Sequence, residues 1–511
     1  MQGGSLSAER RCMRTRDLVA AVDCGTSVIK AAIVGADGGI VSMAQAACPC
    51  AYRSDGGIEQ DADGIVRTAM ACLRRAVRDS RGNGLIRAVS VSSQRATVIC
   101  TDRRGDAIAD ALSWQDMRGT SEIEALRREI DDRSYYRITG VPNNPVFSLG
   151  KILWMKRRRP ALYRRCEKFV LVGDYLLRKL GTDQFFTDES SASLTGMLDV
   201  SSRQWSGDIL HAAGVTAGKL PALVQPGREI GRVSAEAAAR SGLPRGTPII
   251  AGGGDQQCAG IGSGCVEKGL VSYTLGTAGM VMAYSDTVVR DPAMQIACCV
   301  HAVPGAWDIE GLQNSAGSCL SWLAGLINSG RTFDAEFFKR VAAIAPGSAG
   351  VRFLPHLAGA SAPRWNPRAR GAFLGLAFGQ SREALARSVM EGVTFQAREI
   401  MDVCRSLDIP VREIRLTGGG SAIETWNQMQ ADIHGMPVTT LRNEQASLLG
   451  AAILAACGAG LFTSVPEAAR CMVATRRTYR PRQRARRAYE ELFRRQAAIA
   501  EGLGQGEVLD S

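Results

Sequence analysis

Long apolar runs are what this sequence most lacks. Met1–Arg16 is basic and has no apolar core of the kind a secretory signal needs. Ala446–Pro466 carries no charge over 21 residues, but Gly450, Gly458, Gly460, Ser447, Ser464 and Pro466 dilute it. It reads as a buried helix with its exit loop rather than a membrane span. Metal-ligand spacing is missing too. The 15 cysteines are odd in number, Cys48 and Cys50 are one residue apart, and Cys298 and Cys299 are adjacent. No second pair stands where a zinc site would need it, which leaves free thiols in a reducing cytoplasm. Basic residues outnumber acidic ones, 62 against 50, yet most are scattered, which argues against a nucleic-acid partner. The exceptions are Lys156–Arg159 and Arg476–Arg495, the latter interleaving Arg with Tyr and Glu like a solvated helix face. Repeats at solenoid periods are absent.

What is present is an ordinary soluble composition with 56 glycines, which favours α/β architecture with tight backbone approaches. A length of 511 residues exceeds what one core serves. Leu18–Asp23 and Val28–Val34 read as strands around Cys24-Gly25-Thr26-Ser27, and Asp37-Gly38-Gly39 turns into a third strand at Ile40. Helical periodicity covers Ala62–Arg78, followed by strands at Ile86–Ser92 and Thr97–Thr101. The stretch 120–240 is helical and irregular, with Trp154, Tyr175 and Trp205 as core candidates. Strand Thr247–Ala251 runs into Gly252-Gly253-Gly254-Asp255, and a second strand, Gly-Thr turn, strand pattern spans Leu270–Thr274, Gly276-Thr277-Ala278-Gly279 and Met280–Tyr284. The same device thus occurs twice. Two similar halves around a cleft are expected: an extension over 1–17, a first domain over 18–251, a second over 252–465 and a basic helical tail over 466–511. Gly252–Gly254 is the expected hinge.

A Gly-Thr turn between strands suits phosphate. Glycine lets the backbone approach closely, its N–H groups face the anion, and the Thr hydroxyl adds a donor. Asp23 can hold a magnesium shell, because hard cations prefer carboxylate oxygens and keep their waters. Lys30 is a candidate for offsetting phosphate charge. A plain hairpin turn is the alternative at this position. Gly418-Gly419-Gly420-Ser421 follows strand Ile414–Thr417 and is expected to open a helix through Trp426 to His434, setting a helix N-terminus against a ligand. Asp255 is placed to take a proton from an attacking hydroxyl, the base that phosphoryl transfer requires. On local grounds alone, a cap on a helix beginning at Gln256 is the better reading. Gln94-Arg95 and Trp114-Gln115-Asp116-x-Arg118 offer donors, acceptors and a flat apolar face for a hydroxylated ligand, with Trp114 as core the other reading.

In order along the chain, AVDCGTSVIKAAI at 21–33, SSQRATVICTDRRGDAIADALSWQDMRG at 92–119, IIAGGGDQQCAGIGSG at 249–264, TLGTAGMV at 274–281 and LTGGGSAIETWNQMQADIHGMPV at 416–438 resemble the FGGY carbohydrate kinases. The resemblance implies a two-domain actin-like ATPase fold with a central cleft, and transfer of the γ-phosphate of ATP to a sugar or polyol hydroxyl. It implies Asp23, Gly25, Thr26 and Ser27 at the phosphate and magnesium site, and Asp255 as base. It further implies Gly276, Thr277, Gly317, Gly418 and Gly419 on ATP, with Arg95, Trp114, Asp116 and Gln256 on the acceptor side. Glycerol kinases usually have Glu where Ala96 stands, Tyr near Val146-Phe147 and an aromatic at Met280. Xylulokinases typically show Gln-Met-His near 94–96 and Trp-Asn-Asp near 114–116, and neither is here. A pentulose or longer polyol is therefore the expected acceptor and glycerol the alternative. A small-molecule partner, no nucleic acid, no membrane and a cytoplasmic setting complete the expectation, with a homodimer left open. The readings of another class are a non-catalytic actin-like ATPase, disfavoured by Asp255 and the hydroxyl-binding set Arg95, Trp114 and Asp116, and a sugar-sensing pseudokinase, disfavoured by the presence of Asp23, Thr26, Asp255 and Thr277.

Overall fold

The computed structural model describes residues 17–504, so the extension expected over 1–17 lies outside the described residues except for Asp17. The chain opens with β1 (Asp17–Cys24), β2 (Val28–Gly35) and β3 (Ile40–Ala47), then α1 (Ala62–Asp79) and β4 (Leu85–Ser93). Helix α2 (Ser148–Arg158), β5 (Glu229–Arg232), β6 (Pro248–Gly254) and α3 (Asp255–Gly262) follow. The second half contains β7 (Gly269–Leu275), β8 (Gly279–Ser285), β9 (Ala297–Val300), β10 (Trp307–Gln313) and α4 (Gly317–Ile327). It closes with α5 (Arg382–Ser406), β11 (Val411–Thr417), α6 (Glu424–His434), β12 (Val438–Leu441), α7 (Ala446–Gly458), β13 (Thr475–Tyr479) and α8 (Gln483–Gly504).

Two sheets organise these elements, in the orders β5-β6-β4-β1-β2-β3 and β9-β10-β8-β7-β11-β12-β13. Each has the same plan. A three-stranded antiparallel meander (β1-β2-β3; β7-β8-β10) continues through two parallel strands (β4, β6; β11, β12) to an antiparallel edge. The central strand β1 is almost wholly buried, Leu18 to Val22 showing 3% exposure or less, because helices cover both sheet faces. Helix α1 covers one face with Ile65, Val66, Ala69, Met70 and Leu73, spaced three and four apart, and Asp61 caps it by accepting from Gly64 N at 2.8 Å. The short strand Ile99–Thr101 begins later than expected and pairs with Lys168–Val170 outside the main sheet. Tyr175 is core, whereas Trp154 and Trp205 are only partly buried, with the Arg118 guanidinium 4.1 Å over the Trp154 ring.

Three expectations about organisation take a different form. Gly252–Gly254 is not a loop: it is the end of β6, with Gly253 and Gly254 registered against Ser92 and Ser93 of β4. The uncharged stretch at 446 does form a buried helix, but α7 lies on the first sheet, its Leu448, Leu449 and Ile453 packed with Val19, Ala21 and Ile250. The stretch 252–465 thus contributes to the cores of both lobes. The basic tail is helical and carries a buried face: Tyr489 is 0% exposed, accepts from Arg387 Nη2 at 2.6 Å and donates to Glu391 Oε1 at 2.9 Å. Strand β13 adds the last strand of the second sheet.

Helices α3 and α7 cross at backbone contact. A Cβ added at Gly450 would stand 1.9 Å from the carbonyl oxygen of Cys258, so the helices approach only where no side chain intervenes. Gly450→Ala forces them apart and should lower unfolding free energy by ~1–3 kcal/mol, the usual cost of overpacking. Urea unfolding checks this, and a midpoint equal to wild type would refute the contact.

Candidate active site

The two Gly-Thr turns follow strands that hold equivalent positions in their sheets, β1 and β7, and Thr26 of the first and Ala278 and Gly279 of the second line one cavity. In the first lobe Asp23 sits near the end of β1, where its Oδ1 accepts from Ser92 Oγ at 3.0 Å. Burial and the negative charge of Asp255 push its carboxyl up to about 6, against the opposing pull of Ser92 and Lys30. Thr26 Oγ1 accepts from Trp114 Nε1 at 2.9 Å, and its carbonyl accepts from Gln60 Nε2 at 2.8 Å. Gly25 forms the turn beside it, and Ser27 is exposed, its carbonyl accepting from Cys48 N at 2.8 Å. Lys30 Nζ donates to Gln445 Oε1 at 2.6 Å, tying β2 to the start of α7.

In the second lobe the glycine positions converge. Gly317 N donates to the Gly276 carbonyl at 2.8 Å, and Ala316 N and Ser318 Oγ donate to the Thr277 carbonyl at 3.0 and 2.8 Å. Gly418 has φ of 82°, and a Cβ there would come within 2.7 Å of the Leu275 carbonyl. Backbone therefore lies against backbone, with Thr277 exposed at the turn and Gly419 exposed beside it. The expected helix start is set back: Gly419–Ala422 is a turn of 3₁₀ helix, and α6 begins at Glu424.

Between the turns is a cavity of about 220 Å³. Thr26, Arg95 and Trp114 line it from the first lobe, Asp255 and Gln256 from the start of α3, and Met280 and Glu310 from the second lobe. Asp255 is the first residue of α3, and its Oδ1 accepts from Gln256 N at 2.9 Å, so the helix-terminal role and a place in the cavity coexist. Arg95 Nε lies 3.3 Å from Asp255 Oδ1. Desolvation raises the Asp255 carboxyl, the Arg95 charge pulls it back, and Glu310 pushes it up again.

Asp116 does not line the cavity. It is 2% exposed, and Arg118 engages both its oxygens through Nε at 3.1 and 3.0 Å and Nη2 at 2.6 Å. Ile58 N adds a bond to Oδ2 at 3.2 Å. A bidentate Arg two residues away captures this carboxylate for bracing the Trp114 loop. Glu310 escaped the sequence reading. Arg95 Nη1 donates to its Oε1 and Oε2 at 2.7 and 3.0 Å, and Gln257 Nε2 donates to Oε1 at 2.8 Å. Asp308, 0% exposed on the same strand, accepts from Gln257 Nε2 at 3.3 Å, and burial followed by the Glu310 charge drives its carboxyl far upward. The available signal was two acids at i and i+2 within the apolar run Trp307–Gln313. The departures Ala96, Val146, Phe147 and Met280 all fall on the cavity wall.

Residues 18–262 match the N-terminal domain of the FGGY family of carbohydrate kinases and residues 271–459 match its C-terminal domain. The chain is 29% identical over 479 residues to a xylulose kinase of Bacillus subtilis, covering 93% of this chain and 95% of that kinase. It is 32% identical over 464 residues to a glycerol kinase of Alkalilimnicola ehrlichii, covering 88% and 92%. The crystal structure of a gluconate kinase from Lactobacillus acidophilus superposes with a TM-score of 0.88 at 26% identity, covering 96% and 99%.

A carboxylate raised from 3.8 to about 6 binds more protons folded than unfolded, so its ionisation costs stability above about pH 6. Asp23→Asn removes that cost and retains an oxygen for Ser92. It should raise stability at pH 8 by ~1–3 kcal/mol, with the gain shrinking at pH 5 where wild type is protonated. Thermal melts at both pH values test this, and a variant less stable at pH 8 than wild type would contradict it.

Proposed function

The chain belongs to the FGGY family of carbohydrate kinases, ATP-dependent enzymes of actin-like ATPase fold, and from that membership we propose how its own residues transfer a phosphoryl group to a sugar or polyol hydroxyl. The observation that carries the reading is the position of Asp255, on the cavity wall between two Gly-Thr turns and beside Arg95.

The acceptor lies in the cavity with its reacting hydroxyl toward Asp255, which accepts the proton as the oxygen attacks. The raised carboxyl suits that role, since a base nearer neutrality takes a proton more readily. Arg95 orients Asp255 through Nε and is itself fixed by Glu310. Gly276 and Thr277, with Gly317, Gly418 and Gly419, receive the ATP phosphates at a surface left bare of side chains and exposed at Thr277 and Gly419, and Gly25 and Thr26 close over them from the first lobe. Because phosphoryl transfer depends chiefly on positioning and charge neutralisation, two facing turns are an economical answer.

Magnesium fits this site. Asp23 and Asp255 repel each other, and the carboxylate of Asp23 is a hard oxygen donor that a cation would relieve. Asp23 would hold the ion through its carboxylate, and the bound ion offsets phosphate charge. Among the described residues no helix is long and apolar enough to cross a membrane. We assign the enzyme to the cytoplasm, acting on a small-molecule acceptor without nucleic acid.

Asp255→Asn should reduce kcat by ~10²–10⁴ while leaving ATP affinity within about twofold, because Asn cannot take the proton and does not touch the nucleotide. ADP release and ATP titration measure the two quantities. Turnover above about a tenth of wild type would remove Asp255 from the role of base.

A further inference from the structure

The acceptor cavity is poor in available polar groups. Val146, Phe147, Leu194 and Ala297 belong to one apolar cluster, and Ala96 and Leu312 extend the wall. The two indoles on the wall have no donor to offer. Trp114 Nε1 is held by Thr26 Oγ1 at 2.9 Å, and Trp365 Nε1 by the Gln295 carbonyl at 2.7 Å. Gln94 Nε2 donates to Gln60 at 2.8 Å and its oxygen accepts from Thr97 at 3.1 Å. Thr274 Oγ1 pairs with Thr417 Oγ1 at 3.2 Å. Arg95 spends Nε on Asp255 and Nη1 on Glu310 and Gln257. Capacity for a ligand is concentrated at Asp255 and Gln256, with the hydroxyl proton of Thr26 as a further donor at the same end. The charge balance there is one guanidinium against the carboxylates of Asp255 and Glu310.

We propose that the preferred acceptor is an uncharged, partly deoxygenated polyol or ketose, with adjacent hydroxyls at the reacting end and a methyl or methylene segment against the apolar wall. The inference rests on the kinase reading and names its substrate class. A fully hydroxylated chain would leave hydroxyls facing Val146, Phe147, Leu194 and Leu312 without partners, which is costlier than never having them. A methyl group in their place gains from burial. An aldonate fares worse, because its carboxylate would approach two acidic side chains whose guanidinium is already shared between them. The aromatic and acidic residues usual in glycerol kinases are absent at Met280 and Ala96, on the same wall.

The test is coupled ADP release from wild-type enzyme with matched acceptors: 1-deoxyxylulose against xylulose, 5-deoxyribulose against ribulose, and gluconate. The deoxy member should lead its parent in kcat/KM by about tenfold, the discrimination one group earns in an apolar pocket. Gluconate should trail both parents by about a hundredfold, as like charges brought together predict. Parents equal to or ahead of their deoxy partners, or gluconate within tenfold of the best acceptor, overturn the inference while leaving the kinase reading intact. If no acceptor releases ADP, the kinase reading falls and takes the inference with it. Val146→Thr, near in shape, offers a hydroxyl on the wall and should narrow the deoxy preference. An unchanged preference in a folded variant counts against the wall as its source, and the wild-type series decides if the variant does not fold.

Discussion

Arg95 joins the two lobes, and the site depends on that junction. The residue leaves the end of β4, yet its guanidinium reaches Glu310 in the second sheet and Asp255 at the start of α3. Arg95 and Glu310 are 9% and 5% exposed, so the pair has been taken almost wholly out of water. Burying an ion pair adds little net stability, but removing one partner strands the other charge and costs several kcal/mol, on the order of 3–5. Loss of Arg95 would free Asp255 to rotate and strand Glu310, whereas loss of Glu310 would leave Arg95 to Asp255 and Gln257 alone. Gln257, bonded to both members, closes the network.

The internal likeness of the two lobes explains why the cavity forms where it does. Each lobe repeats meander, parallel pair and antiparallel edge, and each meander places its Gly-Thr turn at the same end of its sheet. Facing turns from such lobes bring two backbone-lined surfaces to one ligand without long loops. The glycines of the second lobe gather there because neighbouring carbonyls leave no room for a Cβ, as at Gly418. The hydrogen bond from Trp114 to Thr26 then links the acceptor wall to the phosphate turn within the first lobe.

Much of the framework was legible from local pattern. Leu18–Asp23, Val28–Val34 and Leu270–Thr274 are short, mostly apolar stretches next to turn residues, and they became β1, β2 and β7. Asp255, Arg95, Trp114 and Gln256 reached one cavity, as their motif positions implied. The misses share a physical cause, the dependence on distant partners. Asp116 looks available until Arg118 and Ile58 claim it. Glu310 looks like one acid in a strand until Arg95, 215 positions earlier, arrives beside it. Gly252–Gly254 reads as a flexible joint because glycine permits one, but pairing with β4 makes it strand.

The placement of α7 has a consequence for synthesis on the ribosome. Every strand of the first sheet has been translated by Gly254, but the helix that covers its inner face begins only at Ala446. Val19, Ala21, Ala32, Val34 and Ile250, all buried in the finished protein, must therefore wait for close to two hundred further residues. At ordinary elongation rates that interval is on the order of ten seconds or more, long enough for an exposed apolar sheet to meet another nascent chain. The first lobe therefore cannot complete its core as it emerges, and reaches its final packing only when the chain is nearly finished.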